Sequence, residues 1–359
     1  MATQTDAFDK LAERWGAPGS MRFIKILEVL MTPEEGSLLL ELPKWTTCEQ
    51  LAKRLNVDEK SLRSKLEDLA RKMVVRFGKD GYAMPPNLMS LCHATVNLSS
   101  KVDELWTDFF FAEWRYIIAD SQHKRRLTGK WSVHRILPAL QALAASPNIR
   151  TEQILWYENL DAMLKRSKQI VFVRCVCKAQ HHRCDNKVES CLHVALDNGK
   201  SEPMARWANL KQYTYQEALD ELYAFEDAGL VHLSLNHPRL EETCNCCETC
   251  CRVINPLIHA GKNYDLMDPS KSRYQASIDQ ELCNGCQTCM ERCLFNAIEM
   301  RKPANSRKMK AYMIDKYCMG CGLCVYKCPE KAIKFDIVRP PEHIPNITRE
   351  QALSWGPGF

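Results

Sequence analysis

Cys283-Asn284-Gly285-Cys286-Gln287-Thr288-Cys289-Met290-Glu291-Arg292-Cys293 recurs as Cys318-Met319-Gly320-Cys321-Gly322-Leu323-Cys324-Val325-Tyr326-Lys327-Cys328, which closes on Pro329. Both stretches space their thiols Cys-x2-Cys-x2-Cys-x3-Cys. The flanks repeat too: Ile278-Asp279 returns as Ile314-Asp315, and Ala297-Ile298 as Ala332-Ile333. A strand–loop–helix–turn unit is therefore duplicated, with a pseudo-two-fold axis between the copies. A tight loop with a thiolate every third residue wraps one corner of an iron–sulfur cube, and the fourth cysteine points to the neighbouring cube. The spacing assigns Cys283, Cys286, Cys289 and Cys328 to one [4Fe-4S] cluster, and Cys318, Cys321, Cys324 and Cys293 to a second. Gly285, Gly320 and Gly322 supply the positive φ angles that such wrapping needs. Zinc also favours Cys-x2-Cys, but as two pairs and not as two sets of three plus one. The first run ends in Leu294 where the second has Pro329, which changes turn stiffness and removes no ligand.

With these flanks, the segment resembles the bacterial two-[4Fe-4S] ferredoxins. The resemblance implies single-electron transfer between soluble partners.

Nineteen cysteines in 359 residues, with a polar stretch Met1–Gly19 and no apolar leader, argue for metal binding in a reducing compartment. No apolar run is long enough to span a bilayer, so a cytoplasmic protein is expected. The formal charge of +5 overstates basicity. Each cubane with four thiolates contributes about −2, which brings the loaded protein near or below neutrality. Charge balance alone thus argues against a nucleic-acid binder. No Gly-x-Gly-x-x-Gly or P-loop occurs, so a nucleotide or flavin site has no support.

The expected fold class is α+β and multidomain. A flexible segment, 1–19, precedes a domain at 20–86. There Met21–Met31 has helical apolar spacing, and Thr46 with Glu49 reads as a capping box for a helix to Leu55. Asp58 caps Glu59–Lys72, and Val74–Phe77 with Tyr82–Met84 reads as a hairpin. This order resembles the winged-helix domains of bacterial regulators. Lys60, Arg63, Lys65, Arg71 and Lys72 alternate with Glu59, Glu67 and Asp68, the pattern of a solvated helix rather than a DNA reader. Residues 87–168 read as all-helical: an aromatic stripe along Lys101–Ala119, a polar loop at Ser121–Lys130, and an amphipathic helix at Arg150–Lys168. A cysteine-rich domain, 169–268, and the ferredoxin-like domain, 269–338, follow. The tail, 339–359, is proline-containing and suits an extended arm.

The cysteine-rich domain carries nine thiols in two groups. Cys175, Cys177, Cys184 and Cys191 follow a strand at Ile170–Val173, and Cys244, Cys246, Cys247, Cys250 and Cys251 crowd one run. Between them Thr214 and Glu217 box a helix that Gly229 stops, ahead of a strand at Leu230–Leu235. Two strands ending side by side would gather both groups at one end of a sheet. One or two further [4Fe-4S] clusters are the leading reading, since thiolates select iron–sulfur. Structural zinc, aided by His181, His182 or His193, and a redox dithiol are the alternatives. Adjacent cysteines cannot easily face one cubane, so Cys246/Cys247 and Cys250/Cys251 are either divided between two sites or one of each pair is packing. Cys48 and Cys92 stand apart as packing residues. Residues 150–338 resemble uncharacterised 4Fe-4S dicluster proteins of anaerobic bacteria, which implies electron transfer beside a larger oxidoreductase.

Three functions follow: an iron–sulfur relay to a partner oxidoreductase in anaerobic metabolism, a reductase with its site in the middle domain, or a redox-sensing winged-helix regulator. The expected partner is a redox protein or oxidoreductase subunit. A basic insert, Met300–Lys310, with Arg301, Lys302, Arg307, Lys308 and Lys310, could steer an acidic one. Self-association is left open.

Overall fold

The computed structural model describes residues 4–42, 44–96, 98–196, 208–260, 263–304 and 308–352, and places them in two units. The first holds the described residues up to Ser121 with Ala179–His182; the second holds Gln122–Lys178 and the described residues from Arg183 onward. The division falls neither at 86 nor at 168, because one apolar core runs from Phe8 to Ile118.

In the first unit, helices α1 (Gln4–Arg14), α2 (Met21–Leu30), α3 (Pro33–Leu40), α4 (Cys48–Leu55) and α5 (Glu59–Arg71) precede a hairpin, β1 (Arg76–Gly78) and β2 (Gly81–Ala83). Thr46 bridges to Tyr82 beside that hairpin. Then come α6 (Leu88–Thr95), α7 (Ser100–Phe109), a π-helical turn at Phe110–Trp114, and α8 (Arg115–Leu127). The expected flexible segment 1–19 is helical from Gln4 and buries Phe8, Leu11, Ala12 and Trp15. Trp15 meets Phe23 edge-on at 5.9 Å, Phe23 stacks on Phe109 at 5.4 Å, and Trp106 packs on Trp114 at 5.6 Å. The aromatic stripe is therefore core. Ser121–Lys130 is helical as far as Leu127 rather than a loop, its polar composition notwithstanding.

The capping box of α4 is one residue later than expected. Thr47 accepts from the Gln50 amide, and the Gln50 side chain accepts from the Thr47 amide. Thr47→Ala removes the side-chain acceptor and lowers stability by about 1 kcal/mol. Chemical denaturation of the full chain beside Thr46→Ala, which leaves the cap intact, checks this.

The second unit is built on a five-stranded antiparallel sheet, ordered β3-β6-β7-β5-β4. Its strands are β3 (His134–Ile136), β4 (Ser167–Arg174), β5 (Glu189–Leu196), β6 (Val231–Leu235) and β7 (Glu242–Cys246). Strand β3 corrects the all-helical expectation for 87–168. The predicted helix Arg150–Lys168 is two 3-10 turns, Thr151–Gln153 and Trp156–Glu158, followed by α10 (Leu160–Lys165). Asn159 caps α10 with its side-chain oxygen, and β4 already begins at Ser167. Helix α9 (Leu140–Ala144) precedes these turns, and α11 (Val176–His181) follows β4. Helix α12 (Tyr215–Asp227) starts at the Thr214/Glu217 box and lays Ala218, Leu222 and Phe225 on a core shared with Phe172, Leu192 and Val194.

After α13 (Ile254–His259) the duplicated segment forms β8 (Tyr274–Ile278), α14 (Thr288–Glu291), β9 (Ile298–Arg301), β10 (Lys310–Met313) and β11 (Ile333–Ile337). Strand β8 pairs with β11 and β9 with β10, so each copy gives one strand to each ladder, as a two-fold axis requires. The chain after β11 is not a free arm. Arg339 donates to the Ser272 and Tyr274 carbonyls, Ile344 is buried, and α15 (Arg349–Ala352) follows. The remainder of the predicted tail, 353–359, lies outside the described residues. No helix among the described residues is long and apolar enough to cross a membrane.

Candidate metal centres

Two cavities of similar size sit in the duplicated segment. The first is lined by Cys283, Cys286, Cys289 and Cys328 with Ile278, Ala311 and Ala332. The second is lined by Cys318, Cys321, Cys324 and Cys293 with Ala276, Phe295 and Ala297. Each thus collects three thiols of one run and the fourth of the other.

Backbone geometry repeats with the thiols. The Ala297 amide donates to Cys293 Sγ at 3.3 Å, and the Ala332 amide donates to Cys328 Sγ at 3.3 Å. Ala311 donates to Cys283 Sγ at 3.4 Å. Gly285 (φ +82) and Gly320 (φ +71) face backbone carbonyls so closely that a Cβ would stand 2.1 Å from Met309 O or Tyr274 O respectively. Burial, then neighbouring thiols, pushes Cys289 up to about 11, and burial pushes Cys321 up to about 12. Without a cation these sulfurs stay protonated, so binding a metal here must release protons. The sets differ in exposure: Cys286 is exposed, whereas Cys318 and Cys324 are buried.

The nine middle cysteines separate into two groups. Cross-strand register places Cys191 of β5 opposite Cys244 of β7. Cys246 lies two residues further along β7, and its Sγ is 3.2 Å from that of Cys251. Cys175 and Cys177 are hydrogen-bonded to each other, and Cys177 feels the charge of Cys244. Cys175 directly follows β4, and α11 begins at Val176, so Cys177 is helical. The Cys175 hydrogen bond, helped by Arg252, which reaches Cys177 Sγ at 3.9 Å, lowers Cys177 to about 6 against the effect of burial. The Val253 and Ile254 amides both donate to Cys251 Sγ at 3.4 Å. These six thiols form one group.

Cys184, Cys247 and Cys250 form the other, with their three sulfurs within 4.8 Å of one another. Adjacent cysteines are therefore divided: Cys246 and Cys251 serve one group, Cys247 and Cys250 the other. Of the three histidines, His193 Nε2 is 3.4 Å from Cys191 Sγ, while His181 packs between Phe110 and Phe111. Cys48 and Cys92 are buried in the first unit, each against an oxygen acceptor, Glu59 O and Gln180 Oε1.

Residues 282–332 match the 4Fe-4S dicluster domain. That span contains all eight duplicated cysteines, so the C-terminal segment of this mixed helix-and-sheet protein is a ferredoxin-like 4Fe-4S domain. No curated protein matches the chain. The donor set of the dicluster domain fits its cofactor, since each cavity offers four soft thiolates and amide donors to sulfur.

Sequence reasoning missed a buried polar chain behind the β7 cysteines. The Glu226 carboxylate accepts from the Leu140 and Gln141 amides at 2.5 and 3.1 Å and from His232 Nε2 at 3.0 Å. His232 Nδ1 meets Asn245 Oδ1 at 2.6 Å, and Asn245 Nδ2 donates to Ser190 O. Asn245 sits between Cys244 and Cys246, so this chain fixes the pleat that presents both thiols on one face. The dicluster domain reaches the same helix: Arg292 donates to the Glu226 and Asp227 carbonyls, and Lys327 pairs with Asp227. The capping box at Thr214 and the stop at Gly229 announce α12, and nothing local announces its partners. Within the basic insert, Arg301 pairs with Glu299 and Lys310 donates to Gln280 O, while Arg307 lies outside the described residues.

Proposed function

We propose that this chain is an iron–sulfur electron-transfer protein that relays single electrons to or from a partner oxidoreductase in anaerobic metabolism. Cys283, Cys286, Cys289 and Cys328 hold one [4Fe-4S] cluster; Cys318, Cys321, Cys324 and Cys293 hold the other. The observation that supports this best is the pair of near-equal cavities, each lined by three thiols of one run and one of the other. A bound cubane takes up and returns one electron at a potential set by its surroundings. The chain's own residues provide those surroundings. The Ala297, Ala311 and Ala332 amides stabilise negative sulfur. Ala276, Phe295 and Ala297 keep water from the set of Cys318, Cys321, Cys324 and Cys293. The exposed Cys286 marks the edge at which a redox partner docks.

The six-thiol group takes a further iron–sulfur cluster in this reading. Six sulfurs exceed the four positions of one tetrahedral ion, so a polynuclear occupant suits them. Residues 20–86 are read as a winged helix that docks protein rather than DNA. On α5, Arg63 pairs with Glu59 and Arg71 with Asp68, and just beyond it Lys72 pairs with Glu35, which leaves those cations compensated.

Oxygen-free purification with iron, sulfide and EPR analysis tests the assignment. The expected result is brown protein with about eight irons from the ferredoxin-like domain and about four or more from the six-thiol group. Dithionite reduction should bring out spin-coupled [4Fe-4S] signals. Colourless protein without sulfide ends the proposal.

A further inference from the structure

Cys184, Cys247 and Cys250 are the one group of three His, Cys, Asp or Glu donors among the described residues whose ligand atoms all lie within 4.8 Å of one another. Cys184 Sγ lies 3.6 Å from Cys247 Sγ and 3.6 Å from Cys250 Sγ. Thiolates about 2.3 Å from a single ion at tetrahedral angles stand about 3.8 Å apart. A cubane spreads its thiolates over separate irons, so sulfurs that share a cubane stand farther apart than sulfurs that share one ion. Two separations of 3.6 Å, with all three sulfurs within 4.8 Å of one another, fit the single-ion case, whereas the 3.2 Å contact of Cys246 with Cys251 brings only two sulfurs together. The two Cys184 separations are also far beyond the S–S bond of about 2.05 Å that a dithiol–disulfide pair would form.

The local backbone is built for such an ion. In the turn Cys247-Glu248-Thr249-Cys250, the Cys250 amide donates to Cys247 Sγ at 3.3 Å, and the Arg183 backbone donates to Cys250. The Thr249 hydroxyl lies 3.5 Å from Cys247 Sγ and 3.8 Å from Cys250 Sγ. Amide and hydroxyl donors favour sulfur as thiolate, the form that binds metal. Cys247 and Cys250 are buried within an apolar core, while Cys184 at its margin keeps partial exposure. No fourth His, Cys, Asp or Glu among the described residues joins the group.

We infer that Cys184, Cys247 and Cys250 hold one Zn²⁺ ion through three thiolates, with the fourth tetrahedral position taken by water and open to an exogenous soft ligand such as a small thiol. Three protein ligands plus an open position is the pattern of reactive rather than purely structural zinc. Zinc is redox-inert, so this site takes no part in the electron relay. It offers the protein a second, Lewis-acidic centre.

The test uses the full chain purified without oxygen, with zinc and iron measured in the same sample. About one zinc per chain is expected, with an X-ray absorption shell of three sulfurs at about 2.3 Å and one lighter atom. Adding 2-mercaptoethanol should convert the shell to four sulfurs. Cys184→Ala and Cys250→Ala should lose the zinc at least tenfold and leave iron and sulfide unchanged. Absence of zinc, a four-sulfur shell before thiol is added, or a shell that ignores the thiol overturns the inference. So does a loss of about four irons in Cys184→Ala, which would place a cubane there. The absorption measurement on the unmutated chain decides the matter even if the variants fail to fold. Iron bound by the eight ferredoxin-type cysteines is counted independently, so the relay proposal stands or falls separately.

Discussion

Cys328→Ala is expected to empty the cavity of Cys283, Cys286 and Cys289, and Cys293→Ala that of Cys318, Cys321 and Cys324. Each variant should lose about four irons per chain. Sequence proximity predicts the reverse, since Cys328 closes the second run and Cys293 the first. The cavity linings instead place Cys328 with the first run and Cys293 with the second. Pairs of substitutions separate these outcomes. Cys328→Ala with Cys283→Ala should lose no more iron than either alone, because both act on one cluster. Cys328→Ala with Cys324→Ala should lose about eight, because they act on two. Iron and sulfide analysis of the anaerobic proteins reads this directly. Additive loss for the first pair and non-additive loss for the second would exclude the exchange of fourth ligands.

The shape of each three-thiol loop is legible in the sequence because its cause is local: a thiol every third residue and glycines at the turns set it. The middle cysteines are the opposite case. Their grouping depends on which strand lies beside which, and register pairs Cys191 with Cys244 across the sheet. The crowding of Cys246/Cys247 and Cys250/Cys251 was a sound hint that neighbours part company. Cys184 leaves Cys175, Cys177 and Cys191, its neighbours in sequence, for the group of Cys247 and Cys250. The same limit explains the helix errors. Arg150–Lys168 carries a helical apolar pattern, yet Arg150 and Leu155 each open a 3-10 turn and Asn159 starts the helix afresh. Strand β3 is three residues long, too short for any periodicity, and exists because β6 and the Asp268 side chain receive it. The extent of the first core was hidden as well. Phe8, Leu11, Ala12 and Trp15 follow the i, i+3, i+4, i+7 spacing of a buried helical face, a signal that the polar residues around them in 1–19 mask.

Gly320→Ala should be among the most damaging single changes outside the cysteines. Its φ of +71° already disfavours a side chain, at a cost of roughly 1 kcal/mol. Position adds more. A Cβ would lie 2.1 Å from Tyr274 O and 2.2 Å from Ser272 Oγ, and that hydroxyl donates to Gly320 O at 2.6 Å. Tyr274 cannot yield freely: it opens β8 in register with Ile337, and its hydroxyl donates to the buried Glu158, which also pairs with Arg273 at 2.6 Å. Relief must therefore come from the loop that carries Cys318 and Cys321, and the second cavity deforms. The expected outcome is a loss of about 3 kcal/mol or more, with iron in the second site lost before the first. Gly285→Ala should mirror this at the first site, where Met309 O stands 2.1 Å from the Cβ position. Gly129→Ala is the control, since Gly129 has a similar φ of +77° but nothing within 4 Å. It should pay only the conformational term and keep all its iron. Thermal unfolding and iron content of the three variants isolate the close approach from the backbone angle. Equal behaviour of Gly320→Ala and Gly129→Ala would show that the thiolate loop has room to spare, against the geometry described.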